Sequence, residues 1–504
     1  MFGSWIAIRY SAQPILEYDA FRQTLTALTT QWMLRDGWKL EYLTPVVGHP
    51  WTLPFEFPLY QGLVALLVRL TGAELEPVGR LVSFAFLLAC AWPAGGIARA
   101  LALPPQTRWM FCALLWSSPL YAFWGRTFLI ETTAVFLTLT AVRHALDLRR
   151  SETEWTSIGL FVVFAALAML QKSVTAAPAL AILALVVFAA RRPTLAEPGA
   201  ILRLIRVGIA FAIPLLIGAA WTRYTDSLKA GHWFGELWMS RPALLLYVGT
   251  LAERLDPTAL RELFWQRLIV EDLGGFLGLV VLVFGTFFAG QRVRVVLLTC
   301  LALGLVPFVV FFPQYYKWEY YPTASTIFVI AALAVATAGL QNRPWSRRWT
   351  PIVAVLLVLS NGWQFWNGYR SAVLKEFAVP TSRTLLLSEA LRRYTPRDSA
   401  IAVFGLSWSG ELAFYSERRA LMIEGQFEGR MEQMPITDLL GGTPLGAVLF
   451  LSGDDRARYD RILDTVSPGK GGRFDGGGWY LWLPHVTTLE LADGRRLESV
   501  GAVE

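Results

Sequence analysis

The sequence predicts a polytopic α-helical membrane protein of about 10–12 spans that ends in a soluble α/β domain. Charged residues make up 16% of the 504 positions and hydrophobic ones 55%, with 21 tryptophans, whereas soluble domains carry roughly 25% charge. Apolar runs recur at 80–101, 108–124, 131–149, 156–171, 174–190, 207–221, 273–290, 295–312, 322–340 and 350–368, and about 20 such residues cross a ~30 Å hydrocarbon core. Beyond Tyr369 the composition turns charged and Gly-rich.

The elements follow in chain order. Residues 1–16 contain Arg9 and Pro14, too short and too broken for a first span, so a truncated or misassigned start is expected; no signal-peptide pattern is legible there. The run Leu59 to Leu70 is too short to cross at 1.5 Å per residue and reads as a membrane-embedded or interfacial helix on the outer face. Basic clusters then mark every second connection as cytoplasmic: Arg99 and Arg108; Arg143, Arg149 and Arg150; Arg191, Arg192, Arg203 and Arg206; Arg292 and Arg294; Arg343, Arg347 and Arg348. The transmembrane domain is thus 1–369, with outer-face loops at 17–79 and 222–272. Residues 370–504 form an extracytoplasmic α/β domain with candidate strands 400–404, 447–451 and 479–483. Gly469 to Gly478 reads as a turn rather than a phosphate loop, because no strand precedes it.

The net charge of +7 lies in short clusters between apolar runs, so no nucleic-acid site is read. Cys90, Cys112 and Cys300 fall inside apolar runs and the four histidines are scattered. Neither a disulfide framework nor a Cys/His metal cluster is available.

Five polar motifs fall on the predicted outer face. In Glu17 to Thr24, Asp19 lies three residues before Arg22, within helical reach, and can act as a base; a solvated helix cap is the plainer reading. In Phe55 to Tyr60, Pro58 opens the short helix in the position proline tolerates, and the helix dipole favours Glu56. Arg80 follows, as a snorkelling anchor or a ligand for an anionic headgroup. Trp124 to Glu131 is a tight connection holding Arg126 and Glu131, and an ionisable group at the lip of a span points to function. Gln171-Lys172-Ser173 presents one ammonium. Gln314 to Pro322, with Tyr315, Tyr316 and Lys317, is also explained by an aromatic belt.

In order along the chain these motifs resemble the lipid-linked-sugar-dependent glycosyltransferases that include the protein O-mannosyltransferases and the lipid A aminoarabinose transferase, within the GT-C superfamily. The resemblance rests on Asp19 with Arg22, Glu56 with Pro58, Arg80, Glu131, Lys172 and Tyr315 to Pro322, covering roughly residues 15–340. Phe57 stands where the aminoarabinose branch carries Lys, and Ser173 where the hairpin Lys is usually followed by Gly. Ala20 stands where protein mannosyltransferases carry a second acid.

The resemblance implies transfer of a sugar, with inversion, from a polyprenyl phosphate to a hydroxyl of a lipid, glycan or protein acceptor. The site would face the exterior of a multi-pass protein of the bacterial inner membrane. Asp19 would be the base and Glu131 a second catalytic carboxylate that orients acceptor or sugar. Arg80, Arg126, Lys172 and Lys317 would hold the donor phosphate, and Arg22, Glu56, Tyr315 and Tyr316 would contact substrate. Glu17 is the alternative base if the helix is rotated by half a turn. No metal ligand is assigned and no cofactor is certain; a divalent cation is left open. Two rival classes are a secondary transporter, which would place ionisable groups at the midplane of two related halves, and a non-catalytic scaffold that tolerates substitution of Asp19 and Glu131.

Overall fold

The computed structural model describes residues 2–149, 155–191, 199–341, 348–427, 435–452, 455–466 and 471–500. Arg150, Arg192, Arg343 and Arg347 of the predicted basic clusters lie outside them. The membrane part is built from α1 (Phe2–Arg9), α2 (Ala20–Asp36), α3 (Leu59–Thr71), α4 (Leu75–Ala89), α5 (Ala91–Ala100), α6 (Pro105–Ser117), α7 (Pro119–Trp124), α8 (Glu131–Ala145), α9 (Trp155–Gln171) and α10 (Ser173–Arg191). It continues through α11 (Ala200–Lys229), α12 (Ser240–Val248), α13 (Leu251–Leu255), α14 (Pro257–Arg261), α15 (Phe276–Phe288), α16 (Gln291–Val310), α17 (Phe312–Lys317), α18 (Thr326–Gln341) and α19 (Thr350–Gly368).

A helix lies on each of the ten apolar runs, but their lengths differ from a uniform set of spans. Among the described residues four helices are long and apolar enough to cross a membrane, Leu75–Ala100, Ser173–Ala190, Ala200–Lys229 and Gln291–Val310, and a bent pair makes up to five. Local chemistry explains the shorter ones. Run 108–124 splits because Ser118 caps the amide of Tyr121 and Pro119 starts a new helix. The bent pair turns by 84° between Pro257–Asp272 and Phe276–Phe288, where Gly274 and Gly275 adopt φ of 68° and 100° after a π-helical segment.

Two expectations are corrected. The connection 222–272, expected as an outer-face loop, is largely helical, because α11 continues to Lys229 and four short helical segments follow from Ser240. Pro58 is the N-cap of α3 rather than its first residue.

The C-terminal sheet has the order β2-β1-β3-β5-β4, formed by β1 (Ala400–Phe404), β2 (Arg419–Ile423), β3 (Leu445–Phe450), β4 (Gly472–Asp475) and β5 (Tyr480–Leu483). The first three run parallel, and β5 is antiparallel to both β3 and β4. A hairpin of β6 (Thr488–Glu490) and β7 (Arg496–Glu498) follows. Strands β1 and β3, both near-continuous apolar runs, fill the middle as parallel strands covered on both faces do. The Gly-rich stretch contains β4, so it is half strand rather than turn alone; residues 467–470 lie outside the described residues.

The edge of β2 is extended by the loop after α2. Ala420 N donates to Pro45 O at 2.9 Å, Met422 N to Val46 O at 2.8 Å and Gly48 N to Ala420 O at 3.3 Å. One apolar core therefore runs from Ile15 and Leu28 through Val46 and Val47 into β1, β2 and β3. At the other end of the bundle, Leu101, Arg108, Arg149, Ala190 and Arg292 line one cavity, which brings an arginine from each of three of the basic clusters to one place.

Candidate active site

Three ion-paired groups converge where α2, α3, α8 and α10 begin. In the first, the Glu17 carboxylate is held by Arg126 Nη2 at 2.6 Å and by Arg80 Nη1, all three side chains being 1% exposed. Burial alone raises the Glu17 carboxyl, but Arg126 and Arg80 outweigh it and hold it below the ordinary range. Arg80 is thus a buried partner of Glu17 and not a snorkelling anchor.

The second group corrects the expected contact within α2. Arg22 pairs with Glu56 of the loop before α3 rather than with Asp19. Tyr42 fixes that loop twice, accepting from Phe55 N at 2.8 Å and donating to Glu56 O at 2.9 Å. Glu56 is pushed up by burial and pulled further down by Arg22 and Lys172, so it stays below its usual range.

In the third, Lys172 Nζ pairs with Glu131 Oε1 and lies over the rings of Tyr321 at 4.4 Å and Tyr320 at 5.2 Å. Glu131 sits in the first turn of α8, and its second oxygen, Oε2, is buried with no hydrogen-bond partner among the described residues.

Asp19 stands between these groups. It is the N-cap of α2 at φ 54° and ψ 42°, a left-handed conformation that Asp tolerates better than most side chains, and its carboxylate makes no capping hydrogen bond. Gln23 braces the turn: its amide donates to Tyr18 O at 3.0 Å and accepts from Phe128 N at 3.1 Å. Burial pushes the Asp19 carboxyl up, Arg22 opposes it, Glu131 and Glu319 add to it, and the result is about 7. No ion pair to Asp19 occurs among the described residues. A carboxylate so poised is matched to proton transfer near neutrality.

No protein-family model and no curated protein sequence matches the chain. Solved structures do. ArnT from Cupriavidus metallidurans, determined with undecaprenyl phosphate bound, aligns with TM-score 0.61 at 12% identity over 95% of this chain and 96% of its own. The arabinofuranosyltransferase AftD from Mycobacteria aligns with TM-score 0.54 at 14% identity over 96% of this chain and 39% of its own. The Archaeoglobus fulgidus oligosaccharyltransferase, solved with Zn and sulfate, aligns with TM-score 0.51 at 10% identity over 96% of this chain and 72% of its own. The chain shares the fold of these solved structures, which are GT-C glycosyltransferases.

Within this GT-C fold the ten residues singled out from the sequence divide into two sets. Asp19, Arg22, Glu56, Glu131 and Lys172 come together, with Arg80 and Arg126 directly behind them on Glu17. Lys317 pairs instead with Glu253 at 2.7 Å on an exposed edge, with Tyr316 beside it at 5.3 Å. Tyr315 is buried against Phe308 at 4.4 Å, with its hydroxyl 3.1 Å from Ser325. The tyrosines that reach Lys172 are Tyr320 and Tyr321, in the same aromatic connection; its four tyrosines gave no sign of which pair faces the site.

Gln23, Tyr42 and Glu319 were also missed, being ordinary polar residues whose partners lie outside their own motifs: Gln23 meets Phe128, Tyr42 meets Phe55 and Glu56, and Glu319 meets Arg267. Trp408, from the loop after β1, closes the far side through ring contacts with Phe21 at 5.0 Å, Phe55 at 5.6 Å and Trp238 at 4.9 Å. Among the described residues no three His, Cys, Asp or Glu side chains converge as a metal site.

Proposed function

We propose that this protein transfers a sugar from a polyprenyl phosphate to an acceptor hydroxyl at the outer face of the membrane, with inversion at the anomeric carbon. The observation that carries the reading is Asp19, a carboxylate set free of ion pairing among the described residues, held at about 7, and surrounded by cation pairs in a GT-C fold. The neighbour determined with undecaprenyl phosphate supports a lipid-phosphate donor, whose tail lies in hydrocarbon while its headgroup meets water.

Asp19 takes the acceptor proton as the acceptor oxygen bonds to the anomeric carbon. The bond from that carbon to the phosphate oxygen breaks, and its electron pair leaves as polyprenyl phosphate. Lys172 and Arg22 meet the charge that develops on the phosphate, where fixed cations act most strongly. Glu131 holds Lys172 in place and offers Oε2 to a sugar or acceptor hydroxyl. Arg80 and Arg126 act from behind by fixing Glu17 and the turn that carries Asp19, while Lys317 is placed to meet an incoming anionic headgroup at the exposed edge. Tyr316 lies beside it, and Tyr315 supports the aromatic connection from its buried side.

The site end of the bundle faces the exterior, and the basic helix ends face the cytoplasm by the positive-inside rule. Mass spectrometry of envelope lipids and glycans from cells with the gene, without it, and with Asp19→Asn tests the reading. It expects one sugar modification to be present only with the wild-type gene. Identical profiles in all three strains would sink it.

A further inference from the structure

We infer that the basic end of the bundle, remote from Asp19, binds one anionic glycerophospholipid, with an acyl chain in the cavity there and its phosphate on Arg108, Arg149 and Arg292. The cavity measures about 500 Å³ and lies among α5, α6, α8, α10, α16 and α18. That size falls within the roughly 300–1,000 Å³ of occupied small-molecule sites. Its walls are side chains such as Ile97, Leu139, Leu183, Val296, Phe328 and Val335, so the body of its occupant is apolar. Left empty, such a void deprives its walls of dispersion contacts.

The charges at its edge specify the other end of the occupant. Arg149 and Arg292 are exposed and Arg108 is half-buried while all three line the cavity. None of them pairs with a carboxylate among the described residues. Asp147, the acid at the end of α8, is already taken by Arg143 at 2.8 Å. Arg292 Nη2 donates to Leu101 O at 2.9 Å, which fixes it on the rim and leaves its other donors free for a phosphate.

A third group distinguishes the kind of lipid. Thr107 lines the cavity at 4% exposure, and its hydroxyl is buried without a hydrogen-bond partner among the described residues. An ester carbonyl just below a phosphate answers that donor; a prenyl phosphate has no such carbonyl. The site is also separate from the catalytic one. Leu183 lies 11 residues beyond Lys172 on α10, about 16 Å at 1.5 Å per residue.

Native mass spectrometry of the full-length protein, released from mixed micelles of phosphatidylglycerol, phosphatidylcholine and undecaprenyl phosphate, tests the inference. One phosphatidylglycerol is expected to survive activation that strips phosphatidylcholine. Changing Arg108, Arg149 and Arg292 together to Gln should reduce its retention at least about tenfold, since three charge-assisted contacts are lost. Should that variant fail to fold, Val186→Trp fills the cavity without touching a charge and is expected to expel the same lipid. Equal retention of phosphatidylcholine, retention of phosphatidylglycerol by Val186→Trp, or preferential retention of undecaprenyl phosphate through these arginines would overturn it.

Discussion

Glu17 and Asp19 are two residues apart, yet partners give them opposite characters. Glu17 is locked between two guanidinium groups and held ionised, which makes it a poor proton acceptor and a strong structural anchor. Glu17→Gln should therefore act through folding. Leaving Arg80 and Arg126 buried without their counter-charge costs about 3–5 kcal/mol, to be read as an earlier thermal unfolding transition. A fully stable but inactive Glu17→Gln would instead return the role of base to Glu17. With Asp19 as the proposed base, only its ionised form accepts a proton, so kcat/KM should climb as pH rises through about 7 and level off above it. A rate that falls across that window would contradict the assignment. Lys172→Ala removes the cation proposed to meet the leaving phosphate and should lower kcat by about 10²-fold or more, if the loss resembles that of a fixed oxyanion donor; unchanged kcat with raised KM would mean ground-state binding only.

At the scale of elements, α2 carries the proposed base on one end and the docking surface of the C-terminal domain along its length. A Cβ on Gly410 would lie 2.8 Å from the backbone of Leu25 and Thr24, so Gly410→Ala should push the loop after β1, and Trp408 with it, away from α2. Faster limited proteolysis between residues 404 and 420 is the expected sign, and wild-type protection would show that the interface has slack. How far such elements can be read from sequence depends on what stabilises them. β1 was legible because five consecutive apolar residues between Ser399 and Gly405 describe a buried parallel strand, whereas β2 opens on Arg419 and is completed by pairing with a loop about 370 residues earlier. The ten apolar runs announced ten helices, but their breaks depend on Pro119 and on Gly274 and Gly275, single residues with local consequences. The site motifs were legible as a set. Their pairing was not: Arg22 finds Glu56 34 residues away, and Glu17 finds Arg126 109 residues away, distances that only the packed fold sets.

For the whole molecule, the shared core changes how the C-terminal domain should behave on its own. Residues 370–504 were expected to form a domain outside the cytoplasm. Their sheet, however, lends an edge to Pro45 and Val46 and buries Leu421 and Trp408 against the loops that flank α2 and α3. Cut away from residues 15–82, it exposes a strand edge and an apolar face. The isolated fragment is expected to keep its mixed helix and strand in circular dichroism yet self-associate in sedimentation; a monodisperse, cooperatively folding monomer would mean the shared core contributes little to it. The same continuity places Trp408 against Phe21, Phe55 and Trp238 beside the proposed site, so that domain and membrane bundle both line it. The most direct test of that site is the appearance of free polyprenyl phosphate when the purified protein, in lipid nanodiscs, meets lipid-linked sugars and acceptor lipids extracted from its own membranes. Wild type should release polyprenyl phosphate in step with acceptor glycosylation, and Asp19→Asn, folded and at equal concentration, should release about 10²–10⁴-fold less. Equal release by Asp19→Asn, or none by wild type with every extracted donor, would contradict the account.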